Sequence, residues 1–355
     1  MSPLARAQRD EEALRVTKNL LAVMPKIDLH NHLAGNVPEW LFAETARRYG
    51  IKLANPEHPF SFIAGMPDFL RLFEQIADSF RTPEDLYRAS YESIVDEYKK
   101  SNLRYREVHY SPTINSHLDY ADSMAAIAEG IEHAKRDYGV DGRIIVAIYR
   151  SQGPDVAEKL VAEMAAHPNP AVVGLGIEAD EIVGPLPLFD RAYAMARGSG
   201  YRLTAHVGER DNLAEVLYAV DTLKVDRLDH AYVLATDAAA TQHVIDSGLH
   251  IASAWVSVIA HHGRGPGSPF RTMLDSGLDA SISSDDPGIN NVSLNDSLLD
   301  AALDIELPDS YLVSQNYSQL DAAWIDEPTR SSIRADIDDA LLTLAPSIAP
   351  THKEE

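Results

Sequence analysis

"KIDLHNHLAGN", residues 26–36, is an apolar run that ends in two histidines one residue apart, just before a glycine. Alternate residues of a strand point to the same side, so His30 and His32 would face one interior together if this run lines a barrel. Alone, the pair is explained as well by hydrogen bonds as by a metal. The rest of the chain decides the matter. Further β-branched runs follow at "LRYREVHYSP" (103–112), "GRIIVAIYRS" (142–151), "AVVGLGIEA" (171–179) and "RLTAHVGE" (202–209). Three more complete the series, "DRLDHAY" (226–232), "LHIASAW" (249–255) and "DASISSDDP" (279–287). Amphipathic helical patterns fill the gaps, as in "DVAEKLVAEMAAH" (155–167) and "NLAEVLYAVDTL" (212–223). Eight strands alternating with helices predict a parallel sheet, and the count favours a closed (β/α)₈ barrel. An open doubly wound sheet is the alternative, although no Gly-rich phosphate loop is present.

The chain has 355 residues, 45% of them hydrophobic, enough for one large barrel domain spanning the whole sequence. Residues 33–100 read as a helical insertion after the first strand, of the kind that covers a barrel's active site. It holds Phe42, Phe60, Phe62, Phe69, Phe73 and Phe80. Most of these rings are expected to pack the insertion itself, with one or two facing a ligand. Residues 291–355 read as acidic, solvated helices that close the barrel. With 54 acidic and 31 basic residues the net charge is −23, which repels phosphate backbones and anionic membranes. Nucleic acid and membrane are therefore not expected partners. There is no cysteine, so any metal must be held by His and carboxylate. The N-terminal stretch lacks an apolar signal core and no run of 18 apolar residues occurs, so a cytoplasmic protein is expected.

The polar residues at the strand ends change the weight of His30 and His32. The fifth strand ends with His206 and Glu209, the sixth with His230, and the eighth with Asp285 and Asp286. In a barrel these positions share one ring at the C-terminal mouth, where catalytic groups collect. A buried cluster of four histidines and three carboxylates would be very expensive without a cation, and neutral imidazoles with a carboxylate are natural zinc ligands. This ordered series resembles the adenosine deaminase family, zinc-dependent barrel enzymes of the amidohydrolase superfamily. The resemblance runs from about Pro25 to about residue 345. It includes "MPDFLRLF" (66–73), which looks like that family's lid helix, "YREVHYSP" (105–112) and "VVGLGIEADE" (172–181).

The resemblance implies one zinc ion per chain, on His30, His32, His206 and Asp285. It implies that His230 holds and deprotonates the attacking water. Glu209 would protonate the ring nitrogen beside the attacked carbon, and Asp286 would bind another ring nitrogen. The expected activity is deamination of adenosine or a similar nucleoside to the inosine-type product and ammonia, with a small purine nucleoside as the partner. The oligomeric state is not readable from the sequence.

Departures from the family gather in substrate binding. Ala34 stands where the family carries an aspartate that meets the ribose 5′-hydroxyl, and where adenine-specific relatives tend to have glutamate. Ala179 stands for a glycine whose backbone meets the purine N3, and His109 for an arginine. A Cys-Pro-x-Ser-Asn-like turn becomes "SAWVSVIAHHGRG" (253–265), which places Trp255, His261 and His262 near the mouth. Ala34, Ala179, His109, Phe69, Trp255 and Asp286 are thus the candidate substrate contacts. Together the departures favour altered specificity, so a modified 6-aminopurine is the second enzymatic reading. A non-catalytic nucleoside-binding protein is disfavoured by the intact Glu209, His230 and Asp285. A two-metal barrel hydrolase is disfavoured because the fourth strand ends "GIEADE" with no bridging lysine.

Overall fold

The computed structural model describes residues 14–61 and 65–348, so Phe62 and both chain ends lie outside the described residues. Eight parallel strands form the barrel. They are β1 (Lys26–His32), β2 (Leu103–Tyr110), β3 (Asp141–Tyr149) and β4 (Val172–Glu178), then β5 as two dipeptides, Arg202–Leu203 and His206–Val207. β6 (Leu228–His230), β7 (Ile251–Ala254) and β8 (Ala280–Ser283) complete it. Hydrogen-bonded neighbours follow chain order on both sides of the break in β5. The ring closes where β8 returns to β1. His32 N–H donates to Asp285 O and Asp285 N–H to His30 O, each at 3.0 Å. This closure sets the open doubly wound alternative aside. Almost every strand residue is buried, as expected of a parallel sheet covered by helices outside and packed side chains within.

Strand boundaries depart from the sequence pattern in a consistent way. The patterns run on through Glu209, Tyr232, Trp255 and Pro287, whereas the ladders stop at Val207, His230, Ala254 and Ser283. At the mouth the chain turns sharply, with His230 (φ 65°), Ala231 (φ 55°) and Asp285 (φ 64°) in the left-handed region. β5 is broken because Thr204 is diverted. Its carbonyl accepts from the Tyr193 hydroxyl at 2.8 Å, and its own hydroxyl donates to Asp229 at 2.7 Å.

Between β1 and β2 come the helices Leu33–Asn36, Glu39–Tyr49, Met66–Ala77 and Pro83–Ser101. The Pro83–Ser101 helix is set by a capping box at Thr82 and Asp85. Phe42 and Phe80 pack the core, and Phe42 stacks on Phe60 with centroids 5.7 Å apart. After β8 the helices Leu294–Asp304, Asp309–Ala322 and Glu327–Ile348 follow. The barrel's lower end is plugged by a buried ion pair, Arg227 Nη1 to Glu107 Oε2 at 2.7 Å. The Tyr105 hydroxyl donates to Glu107 at 2.9 Å, and the Arg227 guanidinium lies 4.3 Å from the Trp324 ring centre. No described helix is long and apolar enough to cross a membrane.

Candidate metal centre and active site

The interior histidines arrive from different strands because each occupies an inward position near a strand's C-terminal end. His30 and His32 come from β1, His206 from the second half of β5, and His230 from the end of β6. Their ring nitrogens and the Asp285 carboxylate face one another at short range. His206 Nε2 lies 3.1 Å from His32 Nε2, and Asp285 Oδ1 lies 3.4 Å from the Nε2 of both His30 and His32. Tetrahedral zinc with ligands at about 2.0–2.1 Å puts ligand atoms roughly 3.3 Å apart, so these separations match that geometry. Both ring nitrogens of His30 lack an aligned hydrogen-bond partner, as does His206 Nδ1. Burial disfavours charge on His30, but Asp229 and Asp285 outweigh it and push it up to about 9. The carboxylates therefore draw positive charge into the cluster. The cluster is able to hold a metal ion.

Two carboxylates that the sequence reading passed over address the outer nitrogens of these rings. Asp229, fully buried, has Oδ1 3.2 Å from His30 Nδ1 and Oδ2 3.3 Å from His206 Nδ1. Glu178 Oε2 lies 2.8 Å from His32 Nδ1, and Glu178 Oε1 accepts from the Ser111 hydroxyl at 2.5 Å. Such outer partners fix the tautomer and ring angle of metal-binding histidines. Both stand inside stretches quoted above, "DRLDHAY" and "GIEADE", yet only the cross-strand geometry gives them a role.

His230 is oriented differently. Its Nδ1 is 3.1 Å from the Tyr232 hydroxyl, which donates its single proton to Ala254 O at 2.9 Å. The hydroxyl can then only accept from the ring, so Nδ1 carries the proton and Nε2 keeps a lone pair. Burial pushes His230 down to about 3 despite Glu209, which keeps it a neutral base. Glu209 Oε1 is 4.0 Å from His230 Nε2. The same oxygen accepts from the Ser257 hydroxyl at 2.6 Å and lies 3.2 Å from His261 Nε2. The segment carrying Glu209 is clamped by Glu181, which accepts the Gly208 and Arg210 N–H groups at 2.9 and 2.7 Å.

Asp286 stands against Gly35, where a Cβ would lie only 1.6 Å from Asp286 Oδ1. The glycine after Ala34 therefore makes room for a carboxyl. Burial and then the adjacent Asp285 push the Asp286 carboxyl well above the usual range.

Over this floor opens a cavity of about 410 Å³. Its walls include Met66, Phe69, Leu70 and Phe73 from the Met66–Ala77 helix, with Tyr149, Ala179, Val256 and His261. Phe69 and Phe73 are thus the phenylalanines that face the cavity. Ala179 has φ 76°, so it keeps a glycine-like backbone with a side chain present. Three candidate contacts are not brought to the wall. Ala34 is buried in the short Leu33–Asn36 helix. His109 lies beneath the cluster, its ring centre 5.3 Å from those of His30, His32 and His206. Trp255 turns away, its indole N–H donating to Asp300 at 2.9 Å. His262 also serves the site from outside, with Nε2 3.0 Å from Glu209 O.

Comparison with known proteins agrees with this geometry. The adenosine deaminase family model matches residues 25–340. The chain belongs to the adenosine deaminase family. Members are hydrolases of carbon–nitrogen bonds, acting in purine deamination. An adenine deaminase of Rhizobium leguminosarum bv. trifolii is 29% identical over 323 residues, covering 88% of this chain and 98% of the relative. An amidohydrolase from Burkholderia ambifaria, whose crystal structure has bound zinc, superposes with a TM-score of 0.85 at 30% identity, covering 93% of this chain and 94% of that one. An adenine deaminase from Arthrobacter aurescens superposes at 0.83 with 20% identity, over 90% and 99% of the two chains, a likeness of fold.

Proposed function

We propose that this adenosine deaminase family member hydrolytically deaminates an uncharged 6-aminopurine, adenosine or a nucleoside like it, to the inosine-type product and ammonia. A single barrel domain with one zinc ion per chain does the work. The observation that carries this reading is the convergence of four ligand-type side chains with a base and an acid on the floor of one cavity. His30, His32, His206 and Asp285 would hold the zinc, which when bound lowers the pKa of water from about 15.7 to about 7.

The chain's own groups divide the proton transfers. His230, with Nδ1 committed to Tyr232, takes a proton from the attacking water on Nε2 and hands it to the leaving amine. Glu209 gives a proton to the ring nitrogen beside the attacked carbon, so the ring can accept the electron pair. Asp286, its carboxyl protonated, donates to a second ring nitrogen, and the Ala179 backbone meets the purine edge. Phe69, Phe73, Met66 and Leu70 cover the ring and exclude water. Family membership and the zinc-bearing amidohydrolase support this assignment.

A second reading is a modified 6-aminopurine, with adenosine itself a poor substrate. It is favoured by the apolar character of the 66–73 wall, where Met66, Phe69, Leu70 and Phe73 offer no carboxylate to a ribose hydroxyl. One experiment tests both readings. Ammonia release is measured across adenine, adenosine, 5′-deoxyadenosine and 5′-substituted adenosines. Preference for adenosine over its 5′-deoxy analogue supports the first reading, and indifference to the 5′ group or preference for bulk supports the second. No ammonia from any 6-aminopurine would end both.

A further inference from the structure

His261 is outside the set of groups that the reaction above uses, yet it touches the acid. The Trp255–His262 helix brings Ser257 and His261 onto one face, four residues apart. Both meet the same oxygen of Glu209, at 2.6 Å from Ser257 Oγ and 3.2 Å from His261 Nε2. The contact with His230, at 4.0 Å, also falls on Oε1. Among the described residues no hydrogen bond or ion pair engages Oε2, which leaves that oxygen for a substrate. His261 is half-buried and lines the cavity, so it touches Glu209 on one side and the cavity mouth on the other.

The reaction gives this contact a task. Each turnover moves one proton from Glu209 to the ring, where it stays on the lactam nitrogen of the product. Glu209 ends the cycle as a carboxylate and must be recharged. We propose that His261 is the relay that returns a proton from solvent to Glu209 in every turnover. This rests on the proposed role of Glu209 as ring acid.

The protons then balance. One water proton passes through His230 to the amine, which departs as ammonia with the electron pair of the broken C–N bond. The other leaves the addition intermediate through His230 to solvent as the carbonyl forms. The proton given to the ring is replaced from solvent through His261. At rest the proton favours His261 over Glu209, so transfer to the acid runs only as the ring nitrogen of the substrate draws a proton from it. The Glu209 contact, 3.2 Å from His261 Nε2, pulls His261 upward. Burial opposes charge on Glu209, but with His230 neutral the contacts from His261 and Ser257 to Oε1 still favour the carboxylate.

The opposite view is that His261 is a static counter-ion that keeps Glu209 ionised and so hinders it. Steady-state kinetics with adenosine, or with the 6-aminopurine that gives most ammonia, separate the two. Metal content and thermal unfolding are checked first, to show that His261→Ala and His261→Gln are folded and loaded. Loss of a proton-transfer group costs about 10²–10⁴-fold. Water can partly replace a relay at the mouth, so kcat should fall by about tenfold or more, with KM within about twofold. Added imidazole should restore turnover of His261→Ala in proportion to its concentration. His261→Gln, which keeps a hydrogen bond but cannot relay, should be as slow as His261→Ala. In a Glu209→Gln background, removal of His261 should cost nothing further. An unchanged or raised kcat overturns the inference, as does recovery in His261→Gln, or a loss that imidazole does not rescue. If the wild type itself releases no ammonia from any 6-aminopurine, the proposed function falls and the relay with it. Normal wild-type turnover with an undiminished His261→Ala removes the relay alone.

Discussion

Glu209 and His230 stand 4.0 Å apart, and the proposed reaction sets them opposite demands, one to give a proton and the other to take one. Their surroundings separate them. Tyr232 fixes the tautomer of His230, and burial keeps it neutral. Ser257 and His261 hold Glu209 in place on one oxygen. Glu209→Gln preserves the shape and an accepting oxygen but has no proton to give. Its kcat should fall by at least about 10²-fold, while zinc per chain stays at the wild-type value. Turnover near wild type, in protein shown to be loaded, would remove Glu209 from the acid role. Ala179 poses a different question at the same scale. Its φ of 76° costs an L-residue about 1–2 kcal/mol relative to glycine. Glycine returns about 0.4–1 kcal/mol of that through the looser unfolded chain. Ala179→Gly should therefore be neutral to about 1 kcal/mol more stable, and kcat/KM should rise as the methyl leaves the purine edge. A clear loss of stability in thermal unfolding would mean that the methyl fills space the fold needs.

At the scale of elements, the site is a set of strand ends held in register by buried carboxylates. Asp229 on β6 spans two of them, with one oxygen toward His30 of β1 and the other toward His206 of β5. A carboxylate can accept on both oxygens, whereas an amide has one accepting atom and would turn an N–H₂ toward the other ring. Asp229→Asn should weaken zinc binding by about 10–100-fold, read as a dissociation constant in competition with a chelator, with the fold retained by circular dichroism. Wild-type zinc affinity would show that Asp229 packs the barrel without orienting its histidines. The same geometry explains what the sequence could and could not reveal. His30, His32, His206, Glu209, His230, Asp285 and Asp286 stand out in the sequence because so many ionisable groups at the ends of apolar runs are costly to bury together without a cation. Asp229 and Glu178 do not, since their roles exist only between strands that are far apart in the chain. Gly35 is hidden for the same reason, since Asp286 lies far along the chain, whereas Tyr232 lies two residues from His230 and only the turn after β6 brings its hydroxyl onto that ring. Trp255 was placed near the mouth by its position in the chain, and its direction depended on Asp300, 45 residues later. The break in β5 has no sequence signal, because Thr204 is a good strand former whose hydroxyl and carbonyl are claimed by neighbouring elements.

Across the whole molecule the two ends of the barrel do different things. The lower end is closed by Arg227, Glu107, Tyr105 and Trp324, an ion-paired and hydrogen-bonded network that serves stability. The upper end opens into a cavity whose described lining includes Glu178, Glu209 and Asp285 but no lysine or arginine. The surrounding chain carries a net charge of −23. A 5′-phosphate brings about −1.5 to −2 charges at neutral pH into this field. One pair of like unit charges about 8 Å apart, in an effective dielectric of about 20, costs roughly 2 kcal/mol. That is more than tenfold in kcat/KM, at about 1.4 kcal/mol per tenfold. A bound zinc ion would offset part of the repulsion near the floor, but the phosphate would sit toward the mouth. Adenosine monophosphate should therefore be at least about tenfold poorer than adenosine in kcat/KM by this estimate. The gap should narrow as salt is raised from 0.05 to 0.5 M, because screening shortens from a Debye length of about 10 Å at 0.1 M. Measuring both substrates across that range separates charge from shape. A gap that ignores salt would mean that the Met66–Ala77 helix leaves no room for the phosphate. Equal or better use of the monophosphate would mean that a cation reaches the mouth, and the reading of an uncharged substrate would be wrong.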